Sequence, residues 1–149
     1  MKDSMNPQMH SAEHILNQTM VRMFQCGRCF SSHIEKRKSK CDYRMDRALK
    51  DEEIRRVEQE VNRAIRSDLP VIETLMTRAE AERRFNLDRL PAGAGDSIRI
   101  VLIGDYDACA CIGPHVPSTG KIGNFKIISA SFGEGVMRIR FKVSAREEE

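Results

Sequence analysis

Four side chains that can bind a metal or move a proton occur as two pairs far apart in the 149-residue sequence. His10 and His14 are four residues apart, and Cys111 and His115 repeat that spacing about a hundred residues later. Two histidines four apart on a helix share one face and can chelate a divalent metal. Cys111 and His115 could complete a site of three nitrogens and one sulfur. Each pair alone is weak evidence, because such spacings also arise by chance.

A site with these donors allows several chemistries. If all four side chains bind zinc, the tetrahedral shell is closed and the site is structural. Catalysis requires an open position, a fifth ligand, or a histidine outside the shell that acts as general base on water. A metal could also orient a substrate amine or lower the pKa of bound water. A zinc-protease motif is excluded, because Ser11 and not glutamate follows His10.

The composition predicts one soluble, cytoplasmic domain over residues 1–149, with its core in residues 6–143 and a frayed tail at 144–149. Apolar residues make up 40% and charged residues 32%, and neither a membrane-length apolar run nor a signal peptide is present. Five cysteines without a framework spacing indicate free thiols or metal ligation in a reducing compartment. A net charge of +3 permits nucleic-acid binding through a local patch, but the absence of tryptophan argues against a base-stacking platform.

Three helices are predicted to position these side chains. The first begins at Asn6-Pro7, since Asn can cap free amides and Pro is suited to the first helical position, and it ends near Gly27. His10 and His14 lie beside its apolar stripe, which comprises Met9, Ala12, Leu16, Met20 and Met23. A second helix covers 51–67, and a capping box at Thr77 opens a third that reaches about residue 85.

Strands are predicted between and after these helices. Residues 29–46 read as two strands joined by a basic turn, 71–76 as a short strand, and 98–104 as a central strand. A hairpin over 125–131 and 136–143 follows, with its turn at Gly133 to Gly135. Two segments are predicted as irregular: the small-residue loop 91–96 and the segment 106–120 that carries Cys111 and His115. The fold class is therefore α+β, two layers with helices packed on a mainly antiparallel sheet.

The order of the motifs resembles the editing domain shared by threonyl- and alanyl-tRNA synthetases, their second additional domain, and the free-standing relatives of the alanyl version. The resemblance extends from about residue 9 to residue 143. The matching segments are His10-Ser11-Ala12-Glu13-His14-Ile15-Leu16, Asp42-Tyr43, Glu52-Glu53-Ile54 through Val61-Asn62, Leu69-Pro70-Val71, Cys111-x-Gly113-x-His115-Val116, Thr119-Gly120-Lys121-Ile122-Gly123, Phe125-Lys126-Ile127 and Gly135-Val136-x-Arg138-Ile139.

The resemblance implies hydrolysis of the ester between a wrong amino acid, alanine or serine, and the terminal ribose of a tRNA. It implies Zn²⁺ as cofactor, the acceptor end of a tRNA as partner, and the same four residues as catalytic groups and metal ligands: His10, His14, Cys111 and His115. Ile112 and Pro114 depart from the Gly-Gly-Thr that the alanyl branch has between its cysteine and histidine, and the residues after His115 look like the threonyl branch. No synthetase core is present in the sequence, so editing is expected to act in trans.

Basic residues in two places are candidates for contact with tRNA phosphates. They are Lys36, Arg37, Lys38, Lys40, Arg138 and Arg140. The alternative is a solvated turn and an ordinary polar sheet face.

Four further residues are interpreted conservatively. Cys26 and Cys29 form a CxxC at a helix C-terminus, where ordinary small apolar residues are expected, because a redox pair favours a helix N-terminus. Asp107 is expected to be a loop acid, with orientation of a histidine as the alternative. Cys109 is expected to be a spare thiol on the side of Cys111, because side chains two apart in extended backbone share a face.

Two other functions are compatible with the sequence. One is a non-catalytic, zinc-stabilised module that binds tRNA or protein. The other is hydrolysis of an acyl ester that is unrelated to tRNA.

Overall fold

The computed structural model describes residues 6–88, 90 and 95–145, and these form three helices and seven strands. In chain order they are α1 Pro7–Phe24, β1 Ser31–His33, β2 Ser39–Arg44, α2 Asp51–Arg66, β3 Val71–Thr77, α3 Arg78–Arg84, β4 Ser97–Ile103, β5 Asp107–Ala110, β6 Asn124–Gly133 and β7 Val136–Ser144. The predicted α+β class is confirmed.

The strands form two antiparallel sheets, with strand orders β1-β2-β7-β6 and β3-β4-β5. The prediction did not divide them. Helix α1 contacts α2, β7 of the four-stranded sheet and β5 of the three-stranded sheet. It therefore links the two sheets, and its residues can meet side chains that both sheets supply.

Helix α1 begins as predicted, because the Asn6 side chain accepts a hydrogen bond from the Met9 amide at 2.9 Å and Pro7 occupies the first turn. It ends at Phe24, three residues before Gly27. Gln25 takes a left-handed conformation (φ 55°) and donates its amide to the Val21 carbonyl, which terminates the helix. The extended segment after the helix then leads to β1.

The segment 106–120 was predicted as irregular, and this is wrong for residues 107–110. These form β5, which pairs with the central strand β4, with Cys109 opposite Val101. The strand was missed because its sequence, Asp-Ala-Cys-Ala, lacks β-branched and aromatic residues. Residues 119–121 form one 3₁₀ turn, and the loop between β5 and this turn carries Cys111 and His115.

The main core lies between α1, α2 and the inner face of the four-stranded sheet. Apolar residues from both helices meet the inward side chains of β7, and the stripe predicted for β7 is confirmed: Met137, Ile139 and Phe141 are buried. A smaller core beneath α3 contains Ala81, Ile98 and Ile100.

The ends of β6 and β7 are set by backbone that glycine favours. Glu134 and Gly135 both have positive φ, as a tight hairpin turn requires. Gly123 (φ 101°) precedes β6, and a Cβ there would lie 2.1 Å from the Ser144 carbonyl.

β7 extends to Ser144, one residue into the predicted frayed tail. Residues 146–149 of that tail and positions 91–94 of the predicted loop lie outside the described residues. Among the described helices, none combines the length and apolar character needed to cross a bilayer.

Candidate metal centre

The structure brings together the four side chains that the sequence singled out. His10 and His14 come from α1, whereas Cys111 and His115 come from the loop after β5. One donor atom from each lies within 4.8 Å of all the others. Cys111 Sγ is 3.2 Å from His10 Nε2, and His115 Nε2 is 3.1 Å from His14 Nε2. The juxtaposition is present, and the roles of these residues as ligands and catalytic groups stay predictions.

Hydrogen bonds fasten the loop to both neighbouring elements. The Cys111 amide donates to the Arg99 carbonyl of β4 at 3.1 Å, and the Arg99 guanidinium donates to the carbonyl of Gly113 at 2.7 Å. The Val116 amide donates to Ser11 Oγ on α1 at 3.0 Å. The loop that carries Cys111 and His115 is therefore hydrogen-bonded to β4 near Cys111 and to α1 next to His115.

Two of the imidazole rings are oriented by acceptors on their far side. His10 Nδ1 is 3.1 Å from the Pro114 carbonyl, and His14 Nδ1 is 3.3 Å from Asp107 Oδ2. A carbonyl or carboxylate oxygen can only accept, so both Nδ1 atoms carry the proton. When each ring carries only that proton, its Nε2 presents a lone pair to the centre, as in histidines that bind metals.

The third ring leaves a polar atom without a partner. His115 Nδ1 is buried and has no hydrogen-bond partner within the described residues. Its Nε2 faces that of His14, and two lone pairs 3.1 Å apart repel unless a proton or a cation lies between them. Three imidazoles and one thiol are also a donor set that Zn²⁺ favours. The residues present therefore fit a divalent metal.

The electrostatic environment favours a thiolate at the centre. Burial alone would raise the pKa of Cys111, but hydrogen bonds with the imidazoles of His10, His115 and His14 outweigh it and lower the pKa to about 2. Burial lowers the pKa of His115, assisted by the charges of His14 and His10. Cys111 is consequently anionic and His115 neutral near pH 7, which are the forms that bind metals.

Asp107 was expected to be a loop acid, and this is wrong. It begins β5, is buried, and accepts from Arg28 at 2.6 and 3.2 Å and from Gln18 at 2.9 Å as well as from His14. Burial would lower the pKa of His14, but hydrogen bonds with Asp107, Cys109 and Cys111 together outweigh it and raise that pKa well above its usual value. The available signal was the alternation Asp107, Cys109, Cys111, which places all three on one side of extended backbone.

Cys109 and Arg28 complete the surroundings of His14. Cys109 is half-buried and close enough to His14 to contribute to its raised pKa, in agreement with a spare thiol near the site. Arg28 lies inside the CxxC segment. Its role was not predicted, because its partner Asp107 is 79 residues away in the sequence. Its guanidinium donates hydrogen bonds to both oxygens of Asp107. The segment after α1 therefore helps to position the carboxylate that contacts His14.

The candidate tRNA-contact residues lie on the β1–β2 connection and on the four-stranded sheet. Lys36, Arg37 and Lys38 are exposed between the strands, and Lys40 of β2 is opposite Arg140 of β7. Arg138 is engaged by the Asp42 carboxylate at 2.8 and 3.0 Å. The Lys40 ammonium lies 3.5 Å from the same carboxylate, so Asp42 partly neutralises two cations of this group. The contact of these residues with tRNA stays a prediction.

Comparison with known proteins identifies the family. The sequence model of the threonyl and alanyl tRNA synthetase second additional domain matches residues 98–140. Alanine–tRNA ligase of Methanopyrus kandleri is 35% identical over 140 residues, and that of Methanothrix thermoacetophila is 36% identical over 140 residues. Each alignment covers 89% of this chain and 15% of the relative. The ligase of Staphylothermus marinus is 38% identical over 112 residues, which are 73% of this chain and 12% of the relative.

The chain thus spans about 15% of the length of the curated relatives it matches. The family match begins in β4 and includes the loop with Cys111 and His115, and the longer alignments extend the similarity over most of the chain. The chain belongs to the family of the second additional domain of threonyl- and alanyl-tRNA synthetases.

Proposed function

We propose that this chain hydrolyses the ester bond of a misacylated tRNA in trans, with alanine or serine as the acyl group. The observation that carries the proposal is the convergence of His10, His14, Cys111 and His115, whose donor atoms lie within 4.8 Å of one another. The relatives are alanine–tRNA ligases, which supports a tRNA-related substrate. An acceptor-end ester is the bond in such a substrate that a site of this kind could cleave.

The proposed cofactor is Zn²⁺, whose candidate ligands are His10, His14, Cys111 and His115. When bound, it would supply a Lewis acid that polarises the ester carbonyl or orients the substrate. The protein's own contribution is positional: the Pro114 carbonyl and the Asp107 carboxylate fix the rings of His10 and His14. His10 and His14 are buried and Cys111 and His115 are half-buried, which limits the access of bulk water.

His115 is the candidate proton acceptor. Its pKa is lowered, so its ring is neutral near pH 7, and its Nδ1 has no hydrogen-bond partner within the described residues. With His115 outside a metal shell formed by the other three residues, one of its nitrogens could take the proton of an attacking water. The protonated ring could then return that proton to the ribose oxygen as the ester bond breaks.

A deacylation assay tests the proposal. The chain alone, loaded with zinc, is incubated with a panel of charged tRNAs while its metal content is measured. We expect hydrolysis of alanyl- or seryl-tRNA, loss of activity in Cys111→Ala and His14→Ala, and retention of activity in the matched control Cys26→Ala. No hydrolysis of any aminoacyl-tRNA by the zinc-loaded chain would contradict the proposal.

A second candidate, a non-catalytic zinc-stabilised module that binds tRNA or protein, is favoured by the closeness of the four donors. Four protein ligands fill a tetrahedral zinc shell and leave no open position, as in structural sites. This candidate predicts metal and tRNA binding without turnover. Hydrolysis of an unrelated acyl ester predicts turnover that is insensitive to salt, because phosphate contacts make binding of nucleic acid fall steeply with salt.

A further inference from the structure

A second cluster of metal-binding side chains lies next to the first. Glu13 of α1, Cys29 before β1 and Cys41 of β2 each bring a donor atom within 4.8 Å of the other two. All three residues are buried, with at most 5% of each exposed. Three separate parts of the chain thus deliver two thiols and a carboxylate to one point inside the protein.

The spacing of these donors suits a metal ion. Cys29 Sγ is 3.4 Å from Glu13 Oε2. In a tetrahedral zinc site, a sulfur at about 2.3 Å and an oxygen at about 2.0–2.2 Å from the ion lie about 3.6 Å apart. Two thiolates and one carboxylate oxygen would give the ion three protein donor atoms.

We propose that Glu13, Cys29 and Cys41 form a second divalent metal site that selects a thiophilic ion such as Zn²⁺ or Cd²⁺. Thiolate ligands favour these ions over Mg²⁺ and Ca²⁺, which take oxygen ligands. The two thiols release their protons to solvent as the ion binds. The resulting site carries one net negative charge, and Arg28 is close enough to interact with Glu13.

The two sites are neighbours with separate ligands. Glu13 Oε1 is 3.7 Å from His10 Nε2, and Glu13 directly precedes His14 in α1. No residue of the second site belongs to the set His10, His14, Cys111 and His115. The second site can therefore be tested through metal binding alone, without a tRNA substrate.

Cadmium titration of the reduced, metal-free full chain tests the proposal, with the ultraviolet thiolate-to-cadmium absorption and equilibrium dialysis as readouts. We expect two ions per chain. Cys111→Ser should lose the first ion and keep the absorption of Cys29 and Cys41, about two thirds of the total for three thiolates. The double variant Cys29→Ser/Cys41→Ser should keep one ion and about one third of the absorption.

Two variants keep the result decisive. Glu13→Gln preserves volume and both thiols, and it should weaken the second ion at least about tenfold by removing an anionic ligand. Cys26→Ser removes a half-buried thiol outside the cluster and should leave both ions in place. A wild-type chain that binds a single ion, or a double cysteine variant that binds as many ions as the wild type, would overturn the proposal.

Discussion

Asp107 determines which nitrogen His14 presents to the centre. Its carboxylate accepts a hydrogen bond from His14 Nδ1–H, while Arg28 and Gln18 donate to its remaining acceptor positions. Three hydrogen-bond partners therefore fix the orientation of the Asp107 carboxylate, and the carboxylate fixes the orientation of the His14 ring. This is a common arrangement around protein metals, where the group behind a histidine sets the tautomer and raises the basicity of the ligand.

The change Asp107→Asn should lower zinc affinity about 10–100-fold, because an amide can present its NH₂ to His14 and neutralises the charge behind the ring. Competition with a chromophoric chelator measures the affinity. Asp105→Asn is the matched control, since Asp105 is an exposed acid two residues away. Unchanged affinity in a folded Asp107→Asn protein would show that the carboxylate does not act on His14.

At the scale of elements, Thr119 joins the end of α2 to the loop that carries Cys111 and His115. Its hydroxyl accepts a hydrogen bond from the Leu69 amide at 2.8 Å and donates one to the Ala64 carbonyl at 3.0 Å. Its backbone amide donates to the Leu69 carbonyl at 2.9 Å. A fully buried side chain thus holds the C-terminal side of the site loop against the helix and the start of β3.

The change Thr119→Val should destabilise the fold by about 1–3 kcal/mol, because the isosteric side chain leaves the Leu69 amide without its acceptor. Urea unfolding followed by circular dichroism gives the free energy of unfolding. Thr74→Val, at an exposed position of β3, should change that free energy by less than about 0.5 kcal/mol. Equal effects of the two substitutions would contradict the role of the Thr119 hydroxyl.

The elements that sequence reasoning identified are those with strong periodicity or end signals. The Asn6-Pro7 start of α1, the apolar run of β4 and the alternation of β7 all agree with the structure. β5 was missed because it is short and built from small residues, and only its pairing with β4 makes it a strand. The division into two sheets could not be predicted either, since it depends on which strands pair and not on the local sequence pattern.

For the site, the four side chains could be found by their spacing together with the resemblance to the editing domain, but the pairing of Arg28 with Asp107 could not. Arg28 and Asp107 are 79 residues apart, and nothing in either neighbourhood indicates the other. The Glu13 cluster was likewise hidden, because its members come from a helix, a linker and a strand. Such groups become visible only when tertiary packing is known.

At the scale of the whole molecule, positive charge concentrates on the connection between β1 and β2. Three consecutive exposed cations occupy it, and Lys40 and Arg140 stand opposite each other on the adjoining strands. A net charge of only +3 shows that acidic residues balance the rest of the chain. This surface is therefore the candidate for electrostatic contact with a nucleic acid.

The double variant Lys36→Ala/Lys38→Ala should weaken tRNA binding and reduce its salt dependence. Each lost phosphate contact lowers the slope of log affinity against log salt by about 0.7–0.9. Filter binding at several salt concentrations measures both quantities. Arg55→Ala, an exposed cation on α2, is the control and should leave the slope unchanged. An unaltered slope in the double variant would place the tRNA on another surface.

The distance along the chain between the two halves of the first site has a kinetic consequence. The His10–Cys111 and His14–His115 contacts each join residues 101 positions apart. An ion bound by both halves would act as a removable cross-link. In the chain-entropy treatment, a cross-link that closes a loop of about 100 residues raises the free energy of the unfolded chain by about 4.7 kcal/mol. Because the two halves cannot separate while one ion is bound to both, we expect chelation to speed unfolding in stopped-flow experiments, so that the lifetime of the native chain follows the concentration of free metal.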